Sequence, residues 1–173
     1  MSEICKNWTQ WLKQNRFAGQ TPEMQEQTMR WLEAVRDVIM VYADIKPYDV
    51  VLDIGTGTGL LAFKALELQN CKGKVIFSDM FQDCLDDCKK ILDDSGITTG
   101  FEFLKSPVEH IALGESTIHK ALMRSVLVHV VNKQAAINEI YRVLKPSGKL
   151  CAFEPIIRSN TRYWEILDRH YID

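Results

Sequence analysis

At 173 residues the chain has room for one domain of ordinary size and not for two. Its 46% hydrophobic and 25% charged residues are globular values, and no apolar run approaches the roughly 20 residues that cross a bilayer. A formal net charge of −2 argues against a nucleic-acid partner held through phosphate contacts, which needs a basic excess. The amino terminus, Met1 to Trp8, lacks the apolar core of a signal peptide, so a cytoplasmic protein is expected.

The first 45 residues read as a helical extension. A short helix carries Trp8, Trp11 and Leu12 and ends near Gly19. A longer one starts at Thr21-Pro22-Glu23, a cap followed by a first-turn proline and an early acid. Its apolar residues Trp31, Leu32, Val35, Val38, Ile39 and Tyr42 recur at helical spacing and predict one buried face. The aromatic residues Trp8, Trp11, Phe17 and Trp31 suit either a lid over a pocket or ordinary packing on a sheet.

From residue 46 to 173 the pattern changes to strands alternating with helices. Val50–Ile54 predicts the first strand, and a helix from about Leu60 to Leu68 follows a glycine turn. Lys74–Ser78 predicts the second strand, ended by Asp79, before a helix from Phe81 to Leu92. Phe101–Leu104 and, more weakly, His119–Met123 predict two more. Asn132 caps a helix with Ile137, Ile140, Tyr141 and Leu144 on one face, stopped by Lys145-Pro146-Ser147-Gly148. Lys149–Phe153 predicts a fifth strand, and about the last fifteen residues suit one more helix. Short apolar strands separated by helices imply an α/β fold: a doubly wound, Rossmann-like, mainly parallel sheet of about five strands with helices on both faces.

The five cysteines, Cys5, Cys71, Cys84, Cys88 and Cys151, show no CxxC spacing, which predicts neither a disulfide framework nor a structural zinc site. Cys84 and Cys88 share one helical face with Phe81, Leu85, Ile91 and Leu92, a stripe that reads as buried core, and no metal site is expected.

In a doubly wound sheet the ligand lies at the carboxyl ends of the strands, beside the first. Gly55, Gly57 and Gly59 stand there. Their spacing is Gly-x-Gly-x-Gly, and a dinucleotide fingerprint would place its third glycine at position 60, which is leucine. Asp53, two residues before the first glycine, would repel a pyrophosphate but suits the ammonium of a methionine-like group; capping of the turn's own N–H groups is the alternative. Asp79 ends the second strand where an acid accepts hydrogen bonds from ribose hydroxyls, and it also suits an N-cap. Met80 follows it, placed to pack on an adenine.

Asp53-Ile-Gly-Thr-Gly-Thr-Gly59, Phe77-Ser-Asp79 and Tyr141-Arg-Val-Leu-Lys-Pro-Ser-Gly148 resemble, in order, the motifs of class I S-adenosylmethionine (SAM)-dependent methyltransferases. Among these the chain is most similar to the small-molecule methylases of ubiquinone and menaquinone biosynthesis. The resemblance implies SAM as cofactor, S-adenosylhomocysteine as product and a small-molecule acceptor. It implies that Gly55, Thr56, Gly57 and Gly59 line the methionine part, that Asp79 holds the ribose, and that the segment after the third strand meets the adenine. That segment departs from the family: Ser106-Pro107-Val108 stands where Gly-Asp-Ala is frequent, leaving the Ser106 hydroxyl and the Val108 N–H as adenine contacts. His119 likewise replaces a frequent acid. Arg124 matches the segment beside the sulfonium and is a candidate for the cofactor carboxylate or the substrate; a surface arginine is the alternative.

No catalytic residue is assigned. His110 and His129 are candidate general bases, but methyl transfer from a sulfonium depends mainly on alignment and desolvation. Complete members of the family resemble a seven-stranded sheet, so a five-stranded chain is expected to leave an open edge, and a homodimer through that edge is one expectation. Methyl transfer, SAM binding without transfer, and an NAD-dependent oxidoreductase are the three readings carried forward; Asp53 and Leu60 disfavour the last.

Overall fold

The computed structural model describes residues 3–155. The helix expected in the last fifteen residues lies outside them. Two helices lead, α1 (Glu3–Asn15) and α2 (Pro22–Ala43), and the alternating part follows: β1 (Val50–Ile54), α3 (Leu60–Gln69), β2 (Lys74–Asp79), α4 (Gln82–Asp94), β3 (Phe101–Lys105), β4 (Ile118–Arg124), α5 (Lys133–Val143) and β5 (Leu144–Phe153). The strands form one sheet in the order β3-β2-β1-β4-β5, and every pairing is parallel. The order reverses at β1, which opens a crevice at the carboxyl ends of β1 and β4.

Alternate residues of each strand feed two separate cores. Val51, Val75, Phe77 and Leu122 face a layer built from α1, α2, α3 and α4. Leu52, Ile54, Ile76, Ala121 and Met123 face the other layer, where α5 is the one full helix among the described residues. No helix joins β3 to β4. That connection is an irregular segment pinned by Arg142, whose guanidinium donates to Leu113 O and Ile111 O at 2.9 Å each while pairing with Glu139. The pair holds the Glu139 carboxyl well below its ordinary range, at about 2.

Helix starts follow their signals. Thr21 Oγ1 accepts from Met24 N, and Asn132 Oδ1 accepts from Ala135 N. Helix faces differ from expectation. On α2 the buried residues are Met29, Val35, Ile39, Met40 and Ala43, whereas Trp31, Val38 and Tyr42 are half or more exposed. On α5 they are Ala136, Ile140 and Val143, with Ile137 and Tyr141 turned outward. Both helices carry apolar residues around more than half their circumference, so spacing leaves the rotation open and packing decides it. Phe81 is exposed at the start of α4, outside the buried stripe of Leu85, Cys88, Ile91 and Leu92.

β5 begins earlier than expected. Leu144 already pairs with Ile118, then the register shifts so that Lys149 pairs with Lys120, and residues 145–148 form the irregularity between. His119, at the start of β4, braces the opposite end of the sheet from the crevice. Its Nδ1 accepts from Val50 N at 2.8 Å and its Nε2 lies 2.9 Å from Lys145 Nζ.

Candidate ligand site at the glycine loop

The loop after β1 is shaped by backbone conformation. Gly55 and Gly57 lie at φ +63° and +51°, a region that costs other residues roughly 1–2 kcal/mol. A side chain at Gly55 would also collide with Val126: an added Cβ would stand 2.5 Å from Val126 Cγ2. Thr56 N donates to Ser78 O at 2.9 Å and Gly59 N donates to Thr56 O at 2.8 Å, locking the turn between the ends of β1 and β2.

Two carboxylates organise the loop from below. Asp53 is buried, and its Oδ2 accepts from the Thr56 hydroxyl at 2.8 Å and from Ala62 N at 3.0 Å. Burial pushes its pKa up to about 7 in spite of those bonds. Both bonds fall on one oxygen, which leaves the other for the adjoining cavity. Asp79 reaches the loop from β2: Gly57 N donates to its Oδ2 at 2.9 Å and Phe81 N to its Oδ1 at 3.0 Å. Asp79 thus ties the glycine loop to the start of α4 and keeps lone pairs on both oxygens.

Above the loop is a cavity of about 240 Å³. It is lined by Asp53, Gly55, Thr56, Gly57, Thr58, Leu60 and Leu61 from the end of β1, the loop and the start of α3, by Leu12, Arg16, Phe17, Thr28 and Leu32 from the N-terminal part, and by Arg124 from the end of β4. Arg124 is partly buried, with its guanidinium carbon 5.8 Å from the centre of the Trp31 ring. It has no hydrogen-bond acceptor among the described residues. Burial lowers its pKa, and the Asp53 and Glu154 carboxylates oppose that shift.

Of the residues expected to hold a cofactor, Asp53, Gly55, Thr56, Gly57 and Arg124 meet at this cavity. Gly59 lies just behind, preceding α3, and Asp79 adjoins it through Gly57. Met80 is 57% exposed at the tip of β2. Val108 is buried in the core with Ile76 and Ile111. Ser106 differs from expectation: its buried hydroxyl donates to His110 O at 2.6 Å and accepts from Ala112 N at 3.2 Å, so it holds the turn after β3 together. His110 and His129 are exposed, and neither lines the cavity. The Cys88 thiol is buried, raised well above its ordinary pKa, and 3.5 Å from Gly57 O, a packing role under the loop.

The N-terminal wall was only partly visible in the sequence. Phe17 lines the cavity, but Trp8 lies beneath it, buried, donating its indole N–H to Thr58 O at 2.7 Å. Arg16, Thr28 and Leu32 belong to no motif, and only the fold brings them to the loop.

Residues 45–168 match a family described as a methyltransferase domain. The chain belongs to that methyltransferase family. It is 32% identical over 116 residues to the ubiquinone/menaquinone biosynthesis C-methyltransferase UbiE of Francisella tularensis subsp. novicida, an alignment covering 65% of this chain and 46% of that protein. It is 27% identical over 130 residues to the UbiE of Vibrio cholerae serotype O1, covering 73% and 50%. The chain therefore spans about half the length of the curated relatives it matches. Among solved structures, the YcgJ protein of Bacillus subtilis superposes with a TM-score of 0.67 at 18% identity, covering 79% of this chain and 57% of that one. A SAM-dependent methyltransferase of Aquifex aeolicus gives 0.61 at 24% identity, covering 66% and 61%. At such identities the structural likeness speaks for the fold: a parallel α/β sheet of methyltransferase type. Among the described residues no helix is long and apolar enough to cross a membrane.

Proposed function

We propose that the chain binds SAM at the carboxyl ends of β1 and β2 and transfers its methyl group to a small-molecule acceptor. The observation that carries this reading is a pair of opposite charges facing one cavity beside the glycine loop. Asp53 offers a carboxylate oxygen and Arg124 a guanidinium without a hydrogen-bond acceptor among the described residues. The amino-acid end of SAM carries an ammonium and a carboxylate, so the two side chains complement it. A pyrophosphate would meet Asp53 instead of a cation, which disfavours NAD.

At about 240 Å³ the cavity is smaller than the roughly 300–1,000 Å³ of a whole-ligand pocket. It therefore suits the methionine part, and Asp79 and Met80, outside the cavity, would hold the nucleoside. Asp79, anchored by Gly57 N and Phe81 N, would accept from the ribose hydroxyls. When bound, SAM supplies an electrophilic methyl on a sulfonium. The protein contributes orientation and exclusion of water, with Leu12, Phe17, Leu32, Leu60 and Leu61 forming the apolar surround. A neighbouring general base is not required of this site when the acceptor is itself nucleophilic.

Calorimetric titration with SAM, S-adenosylhomocysteine and NAD tests the reading: the first two are expected to bind, and NAD binding without SAM binding overturns it. Labelled SAM with a panel of small acceptors then separates transfer from binding alone.

A further inference from the structure

Glu154 directly follows β5, belongs to none of the motifs described above and does not line the cavity. Its carboxylate nevertheless accepts from Val126 N at 2.8 Å and from Val128 N at 3.4 Å, bridging two amides of the segment that leaves β4. Beside these bonds, Ser125 N donates to Phe153 O at 2.9 Å. Ser125 itself sits at φ +57°, a conformation that a non-glycine residue keeps only where its surroundings over-determine it. Two features of the ligand site hang on this segment. Val126 presses on Gly55, leaving no room for a Cβ there, and Arg124, next in chain to Ser125, stands on the cavity wall.

We propose that Glu154 is a positioning residue of the ligand site: by holding the Val126 and Val128 amides it seats Val126 against the glycine loop and fixes Arg124 on the cavity wall. It acts through these residues and touches no ligand. The affinity readout rests on the SAM reading above; the readout of the segment itself does not.

The test compares Glu154→Ala and Glu154→Gln with the wild type by calorimetry with S-adenosylhomocysteine, by the amide resonances of Val126 and Val128, and by thermal unfolding. Asn132→Ala, which removes the α5 cap outside the cavity, serves as a destabilised control. Glu154→Ala is expected to weaken S-adenosylhomocysteine about tenfold, the size of a lost charge-assisted hydrogen bond, and to move both resonances. Glu154→Gln keeps one carbonyl acceptor but loses the charge and the second acceptor. It is expected to weaken binding about threefold, and to move the Val128 resonance more than that of Val126. The control is expected to keep wild-type affinity. Unchanged resonances and affinity in Glu154→Ala overturn the proposal, and so does an affinity loss no greater than the control's. If Glu154→Ala does not fold, Glu154→Gln decides by the same two readouts. A wild type that fails to bind S-adenosylhomocysteine removes the SAM reading; the amide resonances alone then decide whether Glu154 holds the segment.

Discussion

The two walls of the cavity are made in different ways. The wall from Asp53 to Leu61 is a backbone object, held by positive-φ glycines, N–H groups and two carboxylates from the ends of adjacent strands. The rest of the lining is a side-chain object, assembled from Leu12, Arg16, Phe17, Thr28, Leu32 and Arg124 on three separate stretches of chain. Backbone geometry of the first kind admits almost no substitution, because each change alters φ, a close approach or a donor. Leu12, Thr28 and Leu32, on α1 and α2, can change without altering the φ angles or the donors of the loop.

The contrast is sharpest at Gly55. Gly55→Ala adds left-handed strain and a collision with Val126, together about 2–4 kcal/mol, and is expected to abolish measurable S-adenosylhomocysteine binding in calorimetry. Adding Val126→Ala should return only the packing part; full recovery would mean that the backbone angle is not what matters. Asp79→Ala removes the acceptor for Gly57 N and Phe81 N, and is expected to weaken the same ligand by about 2 kcal/mol. An unchanged affinity would take Asp79 out of the site.

Asp53 makes the contrast depend on pH. Its folded pKa of about 7 lies above the ordinary 3.8, so the folded chain retains a proton that the unfolded chain has lost. The resulting stabilisation is present below pH 3.8 and is lost as pH rises through about 7. Asp53→Asn is expected to flatten that stretch of the stability-versus-pH curve measured by thermal unfolding. A cation docking on Asp53 favours the carboxylate, so S-adenosylhomocysteine should bind more tightly as pH rises through 7, with a proton released. Calorimetry in buffers of different ionisation heat reads that proton, and a pH-independent affinity would separate Asp53 from the ammonium.

The packing of α1 beneath the loop predicts smaller effects. Trp8→Phe deletes the indole bond to Thr58 O and is expected to cost about 1 kcal/mol of stability, with a correspondingly modest loss of affinity. A loss as large as that of Gly55→Ala would make α1 part of the loop itself. Tyr141→Ser, 82% exposed on α5 and outside both walls, should stay within about 0.5 kcal/mol in unfolding and leave binding alone.

How far the site was legible follows the same division. The glycine spacing, Asp53 and Asp79 stand within one βαβ unit, where chain order and place in the fold coincide, so their meeting at one loop is legible in the sequence. The position of Ser106 after β3 suggests an adenine contact; that its hydroxyl holds a turn is not legible, because its partners, His110 and Ala112, form no sequence pattern. Spacing predicts Phe81, Trp31 and Tyr141 on buried faces, yet they are exposed, because apolar periodicity gives the existence of a face and not its azimuth. The helix missing between β3 and β4 was likewise invisible to strand counting.

Residue order alone determined that this chain is a parallel α/β domain with a glycine loop after its first strand, since strand and helix periods, caps and positive-φ glycines are local properties. Only the tertiary structure decided what else meets that loop: Arg16 at the cavity with Asp53, Trp8 beneath Thr58, Glu154 behind Val126. Each of these joins segments at least 26 residues apart. Such contacts depend on how helices rotate and strands align when two cores pack, and the spacing of residues along one element carries no record of that.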